Sequence, residues 1–517
     1  MAKLRVAIYA ALLGLAGAAA GQDVTLTSPD GSVELSGNLL GFDGEFYRVD
    51  TIYGELTVDS TGVDCAGPGC PNLDAYVAEA IFSGAPAIGA VLMPALLEAF
   101  ALRERLSLER NATDDGDLIV RLYDTADNRE VGAFRFRLTT SSEAFADLVA
   151  HEADIAMSVR EIDSTEQQRA EEAGLGDLSS RSQARVIALD ALVPIVSPSN
   201  QMQSISLADL ARVLTGDITN WLDLGGPDAP IAVHLMAPET GLGHATQNVL
   251  LASGRLEIAA ESGVHRNGTD LAKAITRDPF AIGLTSQADV GENWPLTLNG
   301  TCGFALRADR RAVKTEDYPL TAPMFLYLPQ RRMPRLLRSF LAFLQEPAAQ
   351  LVVRRMGYID QAQEEIAINE QGDRFANAVA LAGRETGLDA LQAMVETLKP
   401  LKRTTTTFRF ETGSSRLDAQ SRSNVARLAR ALETGQYDLR RLVFVGFSDG
   451  EGGAASNQTI ALRRAQAVRD AVVEAAETAN LTRVEIDVAA FGEAMPMACD
   501  DTEWGRRINR RVEVWVR

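Results

Sequence analysis

An apolar run, Leu442–Val445, leads into a glycine-rich loop that carries Asp449, and Arg464 follows fifteen residues later. Few other stretches restrict the fold of this chain as tightly. Four consecutive apolar residues bounded by turn signals fit a strand buried on both faces. After the loop, Ser456 or Asn457 is placed to cap a helix that extends to about Ala479, with Ile460, Val468, Ala471, Val472 and Ala475 on its apolar face. Arg464 lies four residues after Ile460 and four before Val468, so it shares that face. A guanidinium there needs an anion. Together with Asp449 at the strand end it forms a receptor for a small zwitterion, the ammonium going to Asp449 and the carboxylate to Arg464. An internal salt bridge is the alternative reading of the same two residues.

The formal net charge of −20 speaks against nucleic acid and anionic lipid surfaces as partners, and no basic cluster offsets it. Residues 1–21 read as a secretory signal: Lys3 and Arg5, an apolar segment from Val6 to Leu15, then Ala18-Ala19-Ala20 before the cut. No later stretch supplies about 18 continuous apolar residues, so a transmembrane helix is not expected in the processed chain. Export permits disulfides. Cys65 and Cys70 flank Ala-Gly-Pro-Gly and are expected to close a small loop, with no neighbouring ligands for zinc. Cys302 and Cys499 fall in different expected domains, and their pairing stays open.

The architecture expected in chain order is α/β and multidomain. Residues 22–74 hold short alternating strands separated by turn signals such as Pro29-Asp-Gly31, a small β meander closed by the cysteine loop. Residues 75–360 alternate helices with short apolar strands, which predicts two α/β lobes with mainly parallel sheets. Residues 361–403 carry helical spacing at Leu388, Leu391, Met394, Val395 and Leu398 before Pro400, a helical linker giving reach. Residues 404–517 form a compact α/β sandwich.

Five spaced blocks give this last unit a family resemblance: Phe410-Glu-Thr-Gly-Ser-Ser-Arg-Leu417, Gly446-Phe-Ser-Asp-Gly-Glu-Gly452, Asn457-Gln-Thr-Ile-Ala-Leu-Arg-Arg464-Ala-Gln-Ala-Val468, Phe491-Gly-Glu-Ala-Met-Pro496 and Asn509-Arg-Arg-Val-Glu513. It resembles the OmpA-like peptidoglycan-binding domain. That resemblance implies non-covalent binding of the diaminopimelate side chain of the cell-wall stem peptide, with Asp449 and Arg464 holding the amino acid and Asn457 and Arg510 lining the groove. Phe447 stands where the family carries His, which is expected to alter the groove wall, and Ser448 stands where it carries Thr.

The middle region resembles type 2 periplasmic substrate-binding proteins of the phosphate-binding group. The residues that carry the likeness are Ala153-Asp-Ile-Ala-Met-Ser-Val-Arg160, Val186-Ile-Ala-Leu-Asp190, Ile195-Val-Ser-Pro-Ser-Asn200, Ala208 to Trp221 and Gly357-Tyr-Ile-Asp360. An oxyanion, phosphate foremost, is expected where helix N-termini meet hydroxyls and an arginine. Ser83 and Gly84 precede one helix, Thr240, Gly241 and Gly243 open another, and Ser158 with Arg160 supplies a hydroxyl and the charge. Two departures stand out: the first loop reads Ser-Gly-Ala-Pro-Ala where phosphate binders carry more hydroxyls, and Val159 occupies the place of a common acidic partner.

The four histidines are scattered, and phosphate-loop, nucleophile-elbow and zinc-protease motifs are missing. No catalytic residue, metal site or cofactor is expected. The reading is a non-enzymatic, ABC-transporter-related binding protein of the Gram-negative periplasm, held on peptidoglycan and associated with the outer membrane. The alternative is an envelope structural or interaction protein whose middle domain has lost its small ligand.

Overall fold

The computed structural model describes residues 23–238, 240–250, 258–300, 302–383, 386–411, 414 and 416–517. The expected signal segment lies outside them. The described residues fall into two compact units, one running to Ala78 with Arg332–Arg338, the other Glu79–Arg331 with Ser339–Arg517.

In the first unit, strands Val24–Thr27, Glu34–Phe42, Phe46–Thr51 and Gly54–Asp59 form an antiparallel meander, and Asp64–Ala66 pairs back on the first strand. Alternation puts Val24, Leu26, Tyr47 and Val49 into one small core. Cys65 and Cys70 are disulfide-bonded against it, with Cα atoms 5.9 Å apart.

The second unit begins with two α/β lobes joined by one strand. Ala184–Val196 is buried almost throughout; its first part, to Ala191, pairs with Thr321–Tyr327, and Leu192–Val196 pairs with Ala281–Ser286. The sheets are mixed, a correction to the expected parallel bias. Ile155–Ser158 runs parallel to Ala78–Gly84, and Ala232–Met236 runs parallel to both its neighbours. Strands Leu106–Ala112, Leu118–Asp124 and Glu130–Leu138 are antiparallel hairpins instead. Turns at Gly116 and Asn128, both with positive φ, are too short for a helical crossover.

The C-terminal sheet runs in the order Glu365–Ile366, Lys402–Arg409, Arg511–Val516, Arg441–Phe447, Glu485–Ala490. Helices Ala419–Glu433 and Ala454–Ala475 cover one face, over Phe408, Leu442, Phe444, Val512 and Val514. At Gly446 an added Cβ would come within 2.1 Å of the Ala461 carbonyl oxygen, so the bare backbone lets helix and strand touch. The 361–403 segment is a layer of this fold and not a reaching linker. Its Leu391, Met394, Leu398 and Leu401 pack with Val443, Val445 and Trp515 on the other face of the sheet. A strand apolar on both sides needs two covers, and this segment is the second. Phe447 joins the same core, 0% exposed, so it does not wall the groove as expected.

The lobes and the C-terminal sheet are bound to each other covalently and electrostatically. Cys302 and Cys499, 197 residues apart, form a disulfide with Cα atoms 5.7 Å apart. The carboxylate of Asp317 accepts two hydrogen bonds from Arg403, at 2.6 and 3.1 Å, and a third from Arg409 at 3.4 Å. Burial alone would raise this carboxyl, yet Arg403, with Arg374 and Arg409 beyond it, holds it below the usual carboxylate range. Arg403 also pairs with Glu513 at 3.3 Å, which Arg511 and Arg374 share. Removing one partner of such a pair strands the other charge in the interior. Asp317→Ala is therefore expected to lower unfolding stability by about 3–5 kcal/mol, read from the shift of the guanidinium-chloride midpoint. An unmoved midpoint would show that the pair contributes nothing.

Candidate functional site

The helix expected to be capped by Ser456 or Asn457 is capped three or four residues earlier, by Gly453, and runs Ala454–Ala475. Two alanines favour helix, and glycine is tolerated at a cap. The buried seam is accordingly Asn457, Ala461, Ala465, Val468 and Val472, while Ile460 is 39% exposed. Arg464 borders this seam, half-buried, with its guanidinium carbon 5.0 Å from the centre of the Phe410 ring. Among the described residues no carboxylate lies within ion-pair distance of it. Desolvation first, then repulsion from Arg510, pulls its pKa down, against the attraction of Asp449.

Asp449 is nearby and already engaged. Arg510 Nη1 donates to its Oδ2 at 2.7 Å, and Arg510 Nη2 donates to Glu503 Oε1 at 2.5 Å. Burial works against the Arg510 charge, but Glu503 and Asp449 outweigh it and raise its pKa. Asp500 Oδ2 accepts from Gly450 N–H at 2.9 Å and steadies the loop. Asn457 is buried and donates to Glu493 at 2.9 Å. The Ser448 hydroxyl is buried without a hydrogen-bond partner among the described residues. Beneath the loop, the Arg511 guanidinium stacks 4.3 Å from the Phe447 ring centre. Of the four residues expected here, Asp449 and Arg510 pair with each other, Asn457 bonds to Glu493, and Arg464 lies over the Phe410 ring with no ion-pair partner among the described residues.

The residues expected to hold an anion divide differently. Ser83 is fully buried, and its hydroxyl donates to Asp147 at 2.6 Å and meets Thr139 at 2.9 Å. Gly84 has φ +136° where its strand crosses Met157. Ser158 bonds to the Arg160 backbone, donating at 2.8 Å and accepting at 3.2 Å. Arg160 makes a bidentate pair with Glu166, at 2.8 and 2.6 Å, and donates to Ser142 at 2.9 Å. Thr240 accepts from Gly243 N–H at 3.0 Å and donates to the Ala237 carbonyl at 2.7 Å.

Two helix N-termini meet at Val159. Its N–H donates to Ser141 Oγ at 3.3 Å, at the start of helix Ser141–Val149. At Gly241, which opens helix Gly241–Leu250, an added Cβ would come within 2.0 Å of Val159 Cγ2. Converging N-termini attract anions, but Val159 fills the junction and Glu166 neutralises Arg160. Sequence reasoning missed Ser141, Ser142 and Glu166. The signals were two capping boxes, Thr140 with Glu143 and Asp163 with Glu166, which fix where each helix begins. His234 and His265 are hydrogen-bonded to each other at 2.9 Å, and no group of three or more metal-ligating side chains occurs among the described residues. Among them, too, no helix is long and apolar enough to cross a membrane.

Comparison with known proteins agrees with this division. Residues 124–347 match the model of the PBP superfamily domain, and residues 409–510 match that of the OmpA family. The chain joins a PBP-like domain to an OmpA-like domain. The Phosphate-binding protein PstS of Borreliella burgdorferi is 21% identical over 188 residues, 35% of this chain and 67% of that one. Outer membrane porin F of Pseudomonas aeruginosa is 34% identical over 111 residues, 21% of this chain and 29% of that one. The Peptidoglycan-associated lipoprotein of Pseudomonas putida is 29% identical over 159 residues, 30% of this chain and 82% of that one. The chain therefore spans under a third of the porin's length and about two thirds of PstS.

The contact at Val159 has a measurable consequence. Gly241→Ala is expected to cost about 1–3 kcal/mol by overpacking, and Val159→Ala in the same chain should recover most of it. Equal melting temperatures for the wild type and Gly241→Ala would mean that the two helix ends do not touch.

Proposed function

We propose that this protein is an envelope binding protein anchored to peptidoglycan, in which Asp449 and Arg464 hold diaminopimelate while the PBP-like domain captures a small oxyanion, phosphate foremost. The observation that carries the anchor is the state of Arg464. A half-buried guanidinium with desolvation against it, a second arginine nearby and no carboxylate partner among the described residues is unfavourable in the free protein. A ligand carboxylate relieves that, and the ammonium on the same amino acid adds to the charges around Asp449. The name of the P. putida relative and the OmpA family match support the same reading. Asp449 is shared with Arg510, so the ammonium competes with a guanidinium, whereas Arg464 has no carboxylate partner among the described residues.

For the PBP-like domain, the two helix N-termini at Val159 and the likeness to PstS support an oxyanion. Such a ligand requires Val159 and Gly241 to part. The Arg160–Glu166 pair favours a second reading, in which this domain has no small solute and serves as an interaction module of the envelope.

Both halves are testable on the full-length oxidised chain. The wild type is expected to co-sediment with purified peptidoglycan sacculi, and Arg464→Ala is expected to reduce the bound fraction at least about tenfold, with Asp449→Ala weaker than wild type as well. Undiminished sedimentation of the double variant would end the anchor reading. Titration with inorganic phosphate is expected to release heat and raise the melting temperature; neither response would leave the second reading for the middle domain.

A further inference from the structure

The chain passes between the two lobes of the PBP-like domain twice, along Ala184–Val196 and on its way into Thr321–Tyr327. The two crossings lie side by side. Leu192 N–H donates to the Leu320 carbonyl at 2.8 Å, and the Tyr318 hydroxyl donates to the Leu192 carbonyl at 2.9 Å. Two adjacent strands that join two lobes form a hinge. Val159 follows strand Ile155–Ser158 of the first lobe, and Gly241 follows strand Ala232–Met236 of the second. Their contact therefore closes the gap between the lobes, and parting them means turning the lobes about the hinge.

The OmpA-like fold, with the 361–403 layer that belongs to it, holds both lobes. On the first lobe, Glu161 Oε1 accepts from Ala419 N–H at 3.2 Å and Gln345 Oε1 accepts from Arg430 at 2.7 Å. The Val186 carbonyl accepts from Gln361 Nε2 at 2.7 Å. On the second lobe, Cys302 is bonded to Cys499, and Leu306 packs against Met497, Ala498 and Ile508. Just before the second crossing, Asp317 pairs with Arg403, and the Glu316 carbonyl accepts from Arg409 at 2.6 Å. The grip on the first lobe is made of hydrogen bonds that break and re-form singly. The grip on the second is covalent and ionic. Two lobes fixed to one third body turn about their hinge only when one of the grips lets go.

We propose that the OmpA-like domain is a clasp on this hinge and the Cys302–Cys499 disulfide its latch, so that reduction of that bond frees the lobes to part at Val159 and to bind an oxyanion more tightly. A binding-competent form that is rarely populated weakens apparent affinity by its fraction, and releasing the latch raises that fraction. The releasing step is thiol–disulfide exchange with a dithiol reductant. Its thiolate attacks Cys302 Sγ, on the less buried of the two residues, and the Cys499 thiolate leaves and takes a proton. The reductant's second thiol then displaces Cys302, so two electrons and two protons pass to the protein and the reductant leaves as a disulfide. The oxyanion part rests on the reading of the PBP-like domain given above; the clasp does not.

Hydrogen exchange and calorimetry on the full-length chain test the two parts separately. The oxidised wild type is compared with the double variant Cys302→Ser, Cys499→Ser, which keeps the Cys65–Cys70 bond, and with wild type reduced by dithiothreitol. Amide exchange at Val159 and Gly241 is expected to be at least about tenfold faster in both unlatched forms, with the amides of strand Arg441–Phe447 unchanged. Inorganic phosphate is expected to bind the double variant at least about tenfold tighter than the oxidised wild type. Equal exchange at Val159 and Gly241 in all three forms overturns the clasp. Faster exchange that spreads to Arg441–Phe447 overturns it as well, since the bond would then hold the fold and not the hinge. Faster exchange confined to the lobes with equal phosphate affinity overturns the latch's control of binding. The same exchange pattern with no phosphate bound by any form upholds the clasp and overturns the oxyanion reading.

Discussion

Asp317 and Glu513 are two carboxylates in the interior, and the arrangement of this chain depends on how their charge is met. Asp317 belongs to the PBP-like domain and Glu513 to the central strand of the OmpA-like sheet, and Arg403 touches both. Leaving any one of these charges without its partner would cost several kcal/mol, at the order of about 3–5. Asp317 is met by Arg403 and Arg409 of the C-terminal sheet, so its charge is tolerated only with the two domains packed together, whereas Glu513 finds Arg374, Arg403 and Arg511 in its own part of the chain. From Glu513 the network continues to Arg511, whose guanidinium lies on Phe447, the residue two before Asp449. Arg510, next in the chain to Arg511, holds Asp449 itself. One set of buried ions thus seats the domain interface and places the loop of the candidate site.

Much of the fold was legible because burial leaves a periodic mark. The strand Arg441–Phe447 and the Asp449–Arg464 spacing could be read from a two-sided apolar run, a glycine-rich turn and a helical stripe. The β meander followed from alternation and turn residues. What periodicity does not state is the identity of the opposing surface. Leu391, Met394 and Leu398 mark a helix that needs cover, and nothing local says that the cover is Trp515 and Val445. The Cys302–Cys499 bond spans 197 residues, so no spacing rule reaches it.

The candidate sites divided along the same line. Asp449 and Arg464 could be placed near each other because a strand end and the helix after it couple backbone and sequence spacing. Partners supplied from elsewhere in three dimensions were not. Arg160 was read as a free positive charge, and Glu166 neutralises it from the next helix. Arg510 was read as lining the groove, and it occupies Asp449. In both cases the charge has a partner that the sequence order does not reveal, since long side chains reach across elements.

The consequence is that the PBP-like domain does not hang from the OmpA-like domain by a tether. The segment 361–403 is folded against the sheet, and a disulfide and a buried ion network span the junction, so the PBP-like domain is presented at a fixed position relative to the residues proposed to grip the wall. On this reading Arg464 is an arginine waiting for a carboxylate. A crystal structure of the oxidised full-length chain soaked with meso-diaminopimelate tests it most directly. A ligand carboxylate is expected within about 3 Å of the Arg464 guanidinium, with an ammonium at Asp449. Diaminopimelate bound elsewhere, or a site at Arg464 that stays free of ligand at saturating concentration, would contradict it.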